Sequence, residues 1–201
     1  MKIIDVEQRS PEWFQLRTIP TSSNFGKIFA GTGKKSTSAN KYMEEILAQW
    51  IAGKPVDSDI NSPYIDRGVE QEPVARAMYE FLTDNVVSEV GFCIHDSGLF
   101  GGSPDGLVGD DGGLEIKCVK ASTLIHYYRS GFPVGYKPQV QGYLLITGRK
   151  WWDFFAYNAD MDPYMERVER DENYISGLEK ALMDFCEKLE RVKDELKEYK
   201  L

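Results

Sequence analysis

The sequence predicts an α/β protein of the α+β kind, with a mixed central β-sheet flanked by helices, and three observations carry that expectation. Helical patterns open the chain, strand-like runs fill its middle, and two helices, a strand and a final helix close it. That order suits a sheet covered by helices. Between Val86 and Cys118 the strand runs are short and punctuated by glycine. From Asp171 to about Tyr199, Ile175, Leu178, Leu182, Phe185, Leu189, Val192 and Leu196 recur at three- and four-residue steps, the stripe of an amphipathic helix.

Element by element, Ser10-Pro11 is an N-cap followed by proline at the first helical position, opening a short helix over PEWFQLR that ends before Pro20. Thr21, Ser22 and Ser23 are candidate caps for a second helix around NFGKIFA. GTGKKSTS lacks both the spacing and the preceding strand of a phosphate-binding loop and reads as a flexible basic loop. A helix is predicted from about Ala39 to Ile51, ended by Gly53 and Pro55. Ser62-Pro63 opens a longer helical pattern through Leu82, with a kink or break predicted at Pro73. Three strand runs follow: VVSEVGFCIHD, GLFGGSPDGLVG and GLEIKC, the last two joined by the turn signal Asp110-Asp111-Gly112-Gly113. ASTLIHYYRSG and PQVQGYLLITG read as short helices, KWWDFFAYN as an aromatic strand and YMERVERD as one more.

At 201 residues, with no internal repeat and no long linker, the chain is expected to form one domain over 1–201. A net charge of −8 argues against a non-specific nucleic-acid binder but leaves a nucleic-acid enzyme open, because bound cations offset clustered carboxylates. No apolar run reaches membrane-span length, and MKIIDVEQRS lacks the core of a signal peptide, so a cytoplasmic protein with no membrane partner is expected. Cys93, Cys118 and Cys186 form no CxxC pair and read as reduced, buried thiols.

The chemistry gathers in GGSPDGLVGDDGGLEIKC, Gly101 to Cys118. Alternation along the last strand turns Glu115 and Lys117 to one side and Leu114 and Ile116 into an apolar layer. The turn brings Asp105 back toward Glu115, and two close carboxylates with one lysine suit a hard divalent cation, with the Ile116 carbonyl as a further ligand. The bland alternative is a cross-strand ion pair on an exposed hairpin.

SPDG followed by GLEIKC resembles the PD-(D/E)xK nuclease motif, and the chain is similar to the phage lambda exonuclease group of viral recombination nucleases, the YqaJ family. The likeness extends to SPEWFQLRTIPTSS, RGVEQEPVARAMYEF and KPQVQGYLLITGRKWWDFFAYN, in the family's order. It implies a restriction-endonuclease-like core and a 5′-to-3′ exonuclease that degrades one strand of linear duplex DNA to 5′-mononucleotides. The 3′ single strands left behind would feed recombination by single-strand annealing. By position, Asp105, Glu115, the Ile116 carbonyl and Glu72 would hold metal, Lys117 would be the catalytic lysine and Gln139 would help position the reacting water. Arg17, Ser23 and Ser103 would hold the 5′-phosphate, with Ser22 and Asn24 as rivals of Ser23 because the spacing after Arg17 departs from the family's, and Pro73 bears on where Glu72 sits.

The resemblance further implies two Mg²⁺ ions, with Mn²⁺ as a substitute, a homotrimeric ring, duplex DNA ends and an annealing protein as partners, and a phage or prophage product in a bacterial cytoplasm. Candidate lining cations are Lys27, Lys34, Lys35, Arg129, Lys137, Arg149 and Lys150. By residue chemistry alone, Arg17 fits a solvated helix charge, Gln139 a cap, Glu72 an acidic turn, and Trp151, Trp152, Phe154 and Phe155 sheet packing. His95 and His126 are isolated and assigned no role. The alternatives in function are an endonuclease of the same motif class and a DNA-end-binding module without catalysis.

Overall fold

The structure, a computed structural model, describes residues 1–56 and 63–198. In chain order it contains β1 (Lys2–Ile4), α1 (Pro11–Leu16), a 3₁₀ segment (Ser22–Lys27), α2 (Ala39–Ala52) and α3 (Pro63–Thr83). Five strands follow: β2 (Val87–Ser88), β3 (Phe92–Ile94), β4 (Gly101–Gly102), β5 (Gly106–Val108) and β6 (Gly112–Cys118). The chain closes with α4 (Ala121–Ser130), a 3₁₀ turn (Val134–Tyr136), α5 (Lys137–Thr147), β7 (Trp151–Asn158), β8 (Met161–Glu169) and α6 (Glu172–Glu198).

The predicted mixed sheet is present: five strands in the order β2-β5-β6-β7-β8, antiparallel except for the parallel pair β6–β7. A second, three-stranded antiparallel sheet, β1-β3-β4, was not anticipated. Two of the predicted strand runs therefore each divide between sheets. VVSEVGFCIHD becomes β2 in one sheet and β3 in the other, with Gly91 at the crossing; a Cβ there would lie 2.1 Å from the Val6 carbonyl oxygen. GLFGGSPDGLVG likewise becomes β4 and β5, with Ser103, Pro104 and Asp105 between them.

Local signals at the helix ends hold. The Ser10 hydroxyl accepts from the Trp13 amide, and Gly53 ends α2 at φ 65°. The segment after Thr21 is a single 3₁₀ stretch instead of a regular helix. The polar loop of residues 31–38 is folded, not free: Phe29 bridges Lys35, and the Ser36 amide donates to the Ile28 carbonyl. Ser62, the predicted cap of α3, and Tyr199, the predicted end of α6, lie outside the described residues.

Pro73 neither breaks α3 nor removes Glu72 from it; the helix runs unbroken from Pro63 to Thr83. A proline inside a helix costs about 3 kcal/mol. Burial of Ala75 and Tyr79 against Leu114, Ile116, Phe155 and Tyr157 of the sheet supplies the opposing term. On the other face of the sheet, Leu107 and Trp152 pack with Val140, Tyr143 and Leu144 of α5, and Ile175 of α6 joins them. Further along α6, Leu178, Leu182, Phe185 and Leu189 pack with Tyr42, Ile46 and Leu47 of α2 and with Phe25, so α6 is built into the core.

The turn between β5 and β6 also differs from the reading of DDGG. It occupies Gly109 to Asp111, with Gly109 at φ 52°, while Gly112 and Gly113 begin β6. A Cβ on Gly112 or Gly113 would lie 2.1–2.4 Å from the rings of Trp151 and Trp152, respectively. These two glycines answer to tryptophans of the neighbouring strand, which the local sequence does not reveal.

Candidate active site

The register of the β5–β6 hairpin builds the site. Gly106 pairs Leu114, so Asp105, one residue before β5, stands opposite Glu115. Asp105 Oδ2 accepts the Ile116 amide at 2.6 Å. Because the N–H and C=O of one strand residue point the same way, the Ile116 carbonyl lies along the same edge. Alternation does the rest. Leu114 and Ile116 pack toward α3, and Glu115 and Lys117 face α5, as the sequence predicts.

Glu115 is 1 % exposed. Its Oε1 accepts from Gln139 Nε2 at 2.7 Å and from the Lys117 ammonium, whereas its Oε2 is buried and no described group donates to it. Gln139 faces the hairpin while Gln141, two residues on, turns away and donates to the Glu169 carbonyl, so the two glutamines of PQVQ have separate tasks. Burial raises the Glu115 carboxyl above the usual carboxylate range, against the pull of Lys117. Burial and then the Glu115 charge push Asp105 up to about 7. Burial alone would lower Lys117, but the charges of Glu115 and Asp105 outweigh it and hold the ammonium above its ordinary value.

Such a pair fits a hard divalent cation. An orphaned buried carboxylate oxygen, two carboxyls pushed toward protonation and a backbone carbonyl on the same edge form an oxygen donor set that lacks positive charge on one side. Among the described residues no three His, Cys, Asp or Glu side chains converge as a metal cage, and magnesium needs only one or two carboxylates. Glu72 lies within the field of the site: burial and then Asp105 raise its carboxyl, and it in turn raises Glu115. Its Oε1, however, is held by Arg76 Nη2 at 2.6 Å.

Arg17 and Ser103 are joined through Trp13. The Arg17 guanidinium lies 4.4 Å from the centre of the Trp13 ring, and the indole N–H donates to Ser103 Oγ at 2.6 Å. The Ser103 carbonyl accepts from the Tyr143 hydroxyl at 2.8 Å, and that hydroxyl accepts from Gln139 at 3.3 Å, so a continuous chain of contacts links the arginine to Glu115. The segment with Ser22, Ser23 and Asn24 runs beside β4 through the Thr21–Gly101 bridge. Ser22 is buried and Asn24 half-buried, and Ser23 is exposed, its hydroxyl 3.5 Å from that of Thr21.

Among the cations expected to line a groove, Lys27, Lys35, Lys137 and Lys150 are paired with Glu45, Asp184, Asp171 and Asp111. Arg149 is spent on the carbonyls of Val108, Gly109 and Gly112 at the hairpin turn, while Lys34 and Arg129 are exposed. His95 stacks on Phe100 and bonds Ser97, away from the site. Cys93 and Cys186 are buried and Cys118 is half-buried, all three unbridged. Sequence reading missed Trp13, Tyr143 and Arg76. Two of them had a signal, since Trp13 precedes Arg17 and Glu72 precedes Arg76 by four residues, one helical turn.

The YqaJ-like viral recombinase domain matches residues 12–150, a span that contains Arg17, Glu72, Ser103, Asp105, Glu115, Lys117 and Gln139. Two crystal structures of the alkaline exonuclease LHK-Exo from Laribacter hongkongensis superpose with TM-score 0.85, at 34 % identity for one and 35 % for the other, which is in complex with dAMP. Each alignment covers 94 % of this chain and 97 % of LHK-Exo. A phage related exonuclease from Haemophilus somnus 129PT shares the fold at TM-score 0.66 and 14 % identity, over 89 % of this chain and 96 % of that one. No curated protein sequence matched the chain.

Proposed function

The chain belongs to the YqaJ-like viral recombinase family, and on that premise we propose that it is a metal-dependent 5′-to-3′ exonuclease acting on linear double-stranded DNA. It removes 5′-mononucleotides from one strand and leaves 3′ single strands for an annealing protein to pair. The observation that carries this reading is Glu115 Oε2, a carboxylate oxygen buried without a donor beside Asp105 and Lys117. A carboxylate kept for structure alone would be expected to have both oxygens satisfied. The relative bound to dAMP, a 5′-mononucleotide, supports the product class.

Asp105, Glu115 and the Ile116 carbonyl would hold the divalent ions, two Mg²⁺ with Mn²⁺ as substitute and Glu72 as a further ligand, and these would supply Lewis-acid stabilisation of phosphate oxygens and a more acidic water. Lys117 keeps its proton across the physiological range and offers N–H donors to the attacking water or to the charge developing on the phosphate. Gln139 orients Glu115 through Oε1 and leaves Oε2 available. Arg17, Ser103 and Ser23 grip the terminal 5′-phosphate, so that water attacks in line only at the first phosphodiester. Its P–O3′ bond breaks, the terminal nucleotide leaves with a 3′-hydroxyl, and the phosphate remains on the next nucleotide as the new 5′ end. Trp13 stiffens that grip by holding Arg17 and Ser103 at once. A homotrimeric ring in the cytoplasm of a bacterial host, built from this one nuclease domain and carried by a phage or prophage, completes the proposal. Enclosure explains how a chain of net charge −8 retains DNA.

The test compares linear duplex with a 5′-phosphate, the same duplex with a 5′-hydroxyl, and a closed circle, each with Mg²⁺ and with chelator. Mononucleotide release from the phosphorylated linear duplex alone supports the reading. Cutting of the circle makes the protein an endonuclease, and binding of ends without cutting makes it an end-binding module.

A further inference from the structure

Behind the two hairpin carboxylates stands a cation that the mechanism above does not use. Arg76 follows Glu72 by one turn of α3, and only 12 % of its side chain is exposed. Nη2 reaches Glu72 Oε1 at 2.6 Å and Nη1 reaches Glu89 Oε2 at 2.9 Å, Glu89 lying one residue past β2. The Arg76 Nε is buried with no described acceptor. Helix-surface ion pairs in water hold their members loosely. Here the arginine is largely out of water, although Glu72 is 35 % and Glu89 70 % exposed, and it occupies an oxygen of an acid whose charge bears on Asp105 and Glu115.

We propose that Arg76 is a positioning residue that holds Glu72 back from Asp105 and Glu115 in the absence of a cation and releases it when a divalent cation binds, Glu89 then keeping the guanidinium paired. The inference rests on the metal reading above. Three neighbouring carboxylates repel more than the single Lys117 ammonium offsets, and Arg76 takes one of them out of the group. A cation competes with Arg76 for Glu72. The exchange leaves no bare arginine in a poorly solvated place, because Glu89 is already in contact at 2.9 Å. Cation affinity is thereby set against an internal ion pair, a coupling that works equally in both directions.

The experiment titrates Mn²⁺ alone into the full chain by calorimetry, without DNA. Arg76→Gln is expected to tighten Mn²⁺ binding about fivefold and to change it far less in a Glu72→Gln background, where only its direct effect on Asp105 remains. Glu89→Gln is expected to do the opposite, weakening Mn²⁺ binding by giving Arg76 wholly to Glu72, again only when Glu72 is present. The opposed signs exclude a shared loss of folding, and Glu89→Gln carries the test if Arg76→Gln does not fold by circular dichroism. Equal shifts with and without Glu72 would reduce Arg76 to a distant charge and overturn the proposal, as would no shift at all. Glu115→Ala separates the two layers. Mn²⁺ binding that is absent in the wild type, or indifferent to Glu115→Ala, overturns the metal reading and this inference with it. Binding that Glu115→Ala abolishes but the Arg76 and Glu89 variants leave untouched overturns this inference alone.

Discussion

Two buried carboxylates sit on adjacent parallel strands, and their surroundings differ. Asp153 of β7 pairs in register with Leu114, the neighbour of Glu115 on β6, and both acids are 1 % exposed. Asp153 faces α3, where Arg167 donates to both oxygens at 2.8 Å and the Tyr79 hydroxyl donates to Oδ2 at 2.8 Å. The Arg167 guanidinium in turn lies 3.6 Å from the centre of the Trp151 ring. Glu115 faces the other way, toward α5, with both its described donors on one oxygen and none on the second. A saturated carboxylate holds elements together, here α3 and β8 to β7. An unsaturated one has capacity left for a ligand.

That contrast can be broken by experiment. The largest effect is expected from Glu115→Gln, which keeps the shape and removes the charge. Nuclease activity should fall about 10³-fold or more, while the midpoint of thermal unfolding without metal stays level or rises, because the repulsion between Glu115 and Asp105 is gone and Asp105 still offsets Lys117. A collapse in stability would place Glu115 with Asp153 as a structural acid. Asp153→Ala should behave in the reverse sense. Leaving Tyr79 and Arg167 without their acceptor is expected to cost about 3 kcal/mol in urea unfolding, with activity per folded molecule largely kept.

The next effect is a dependence on pH. Burial and the Glu115 charge push the Asp105 carboxyl up to about 7 from an ordinary 3.8, so between those values the native state binds more protons than the unfolded state. Stability without metal should therefore fall as pH rises from about 4 to 7 and level off above, and Asp105→Asn should flatten the slope. The raised value of Lys117 does not enter this window, since the ammonium is protonated in both states there. A stability that rises through the window would show that the site carries no such strain. The smallest effect is expected from Arg17→Ala, a loss of about tenfold in the preference for 5′-phosphorylated over 5′-hydroxyl ends, as for one charged hydrogen bond, with Mn²⁺ binding unchanged. Equal loss on both ends would remove Arg17 from phosphate recognition.

Much of this site is legible in local sequence because it is built from local rules. Turn residues between two strand runs imply a hairpin, and a period of two puts Glu115 and Lys117 on one side. Ser10-Pro11 and Gly53 mark helix ends through backbone groups within one turn. The break offered at Pro73 fails for the same reason: its local preference is real, but packing of Ala75 and Tyr79 on the sheet outweighs it. Gly112 and Gly113 read as turn residues, and only the rings of Trp151 and Trp152 explain them. The split of two strand runs between sheets escapes the sequence because pairing partners as distant as β1 decide it.

By itself, then, the sequence determined the α+β class, the hairpin with its acid, acid and lysine, and a resemblance that the match over residues 12–150 bears out. Composition, period and turn chemistry act over a few residues, and those signals survive in one dimension. Only the tertiary structure decided which buried acid is saturated, that Trp13 and Tyr143 connect Arg17 to Glu115, and that Arg76 pairs with Glu72. Hydrogen-bond satisfaction and burial are sums over neighbours from every part of the chain, so no local pattern encodes them.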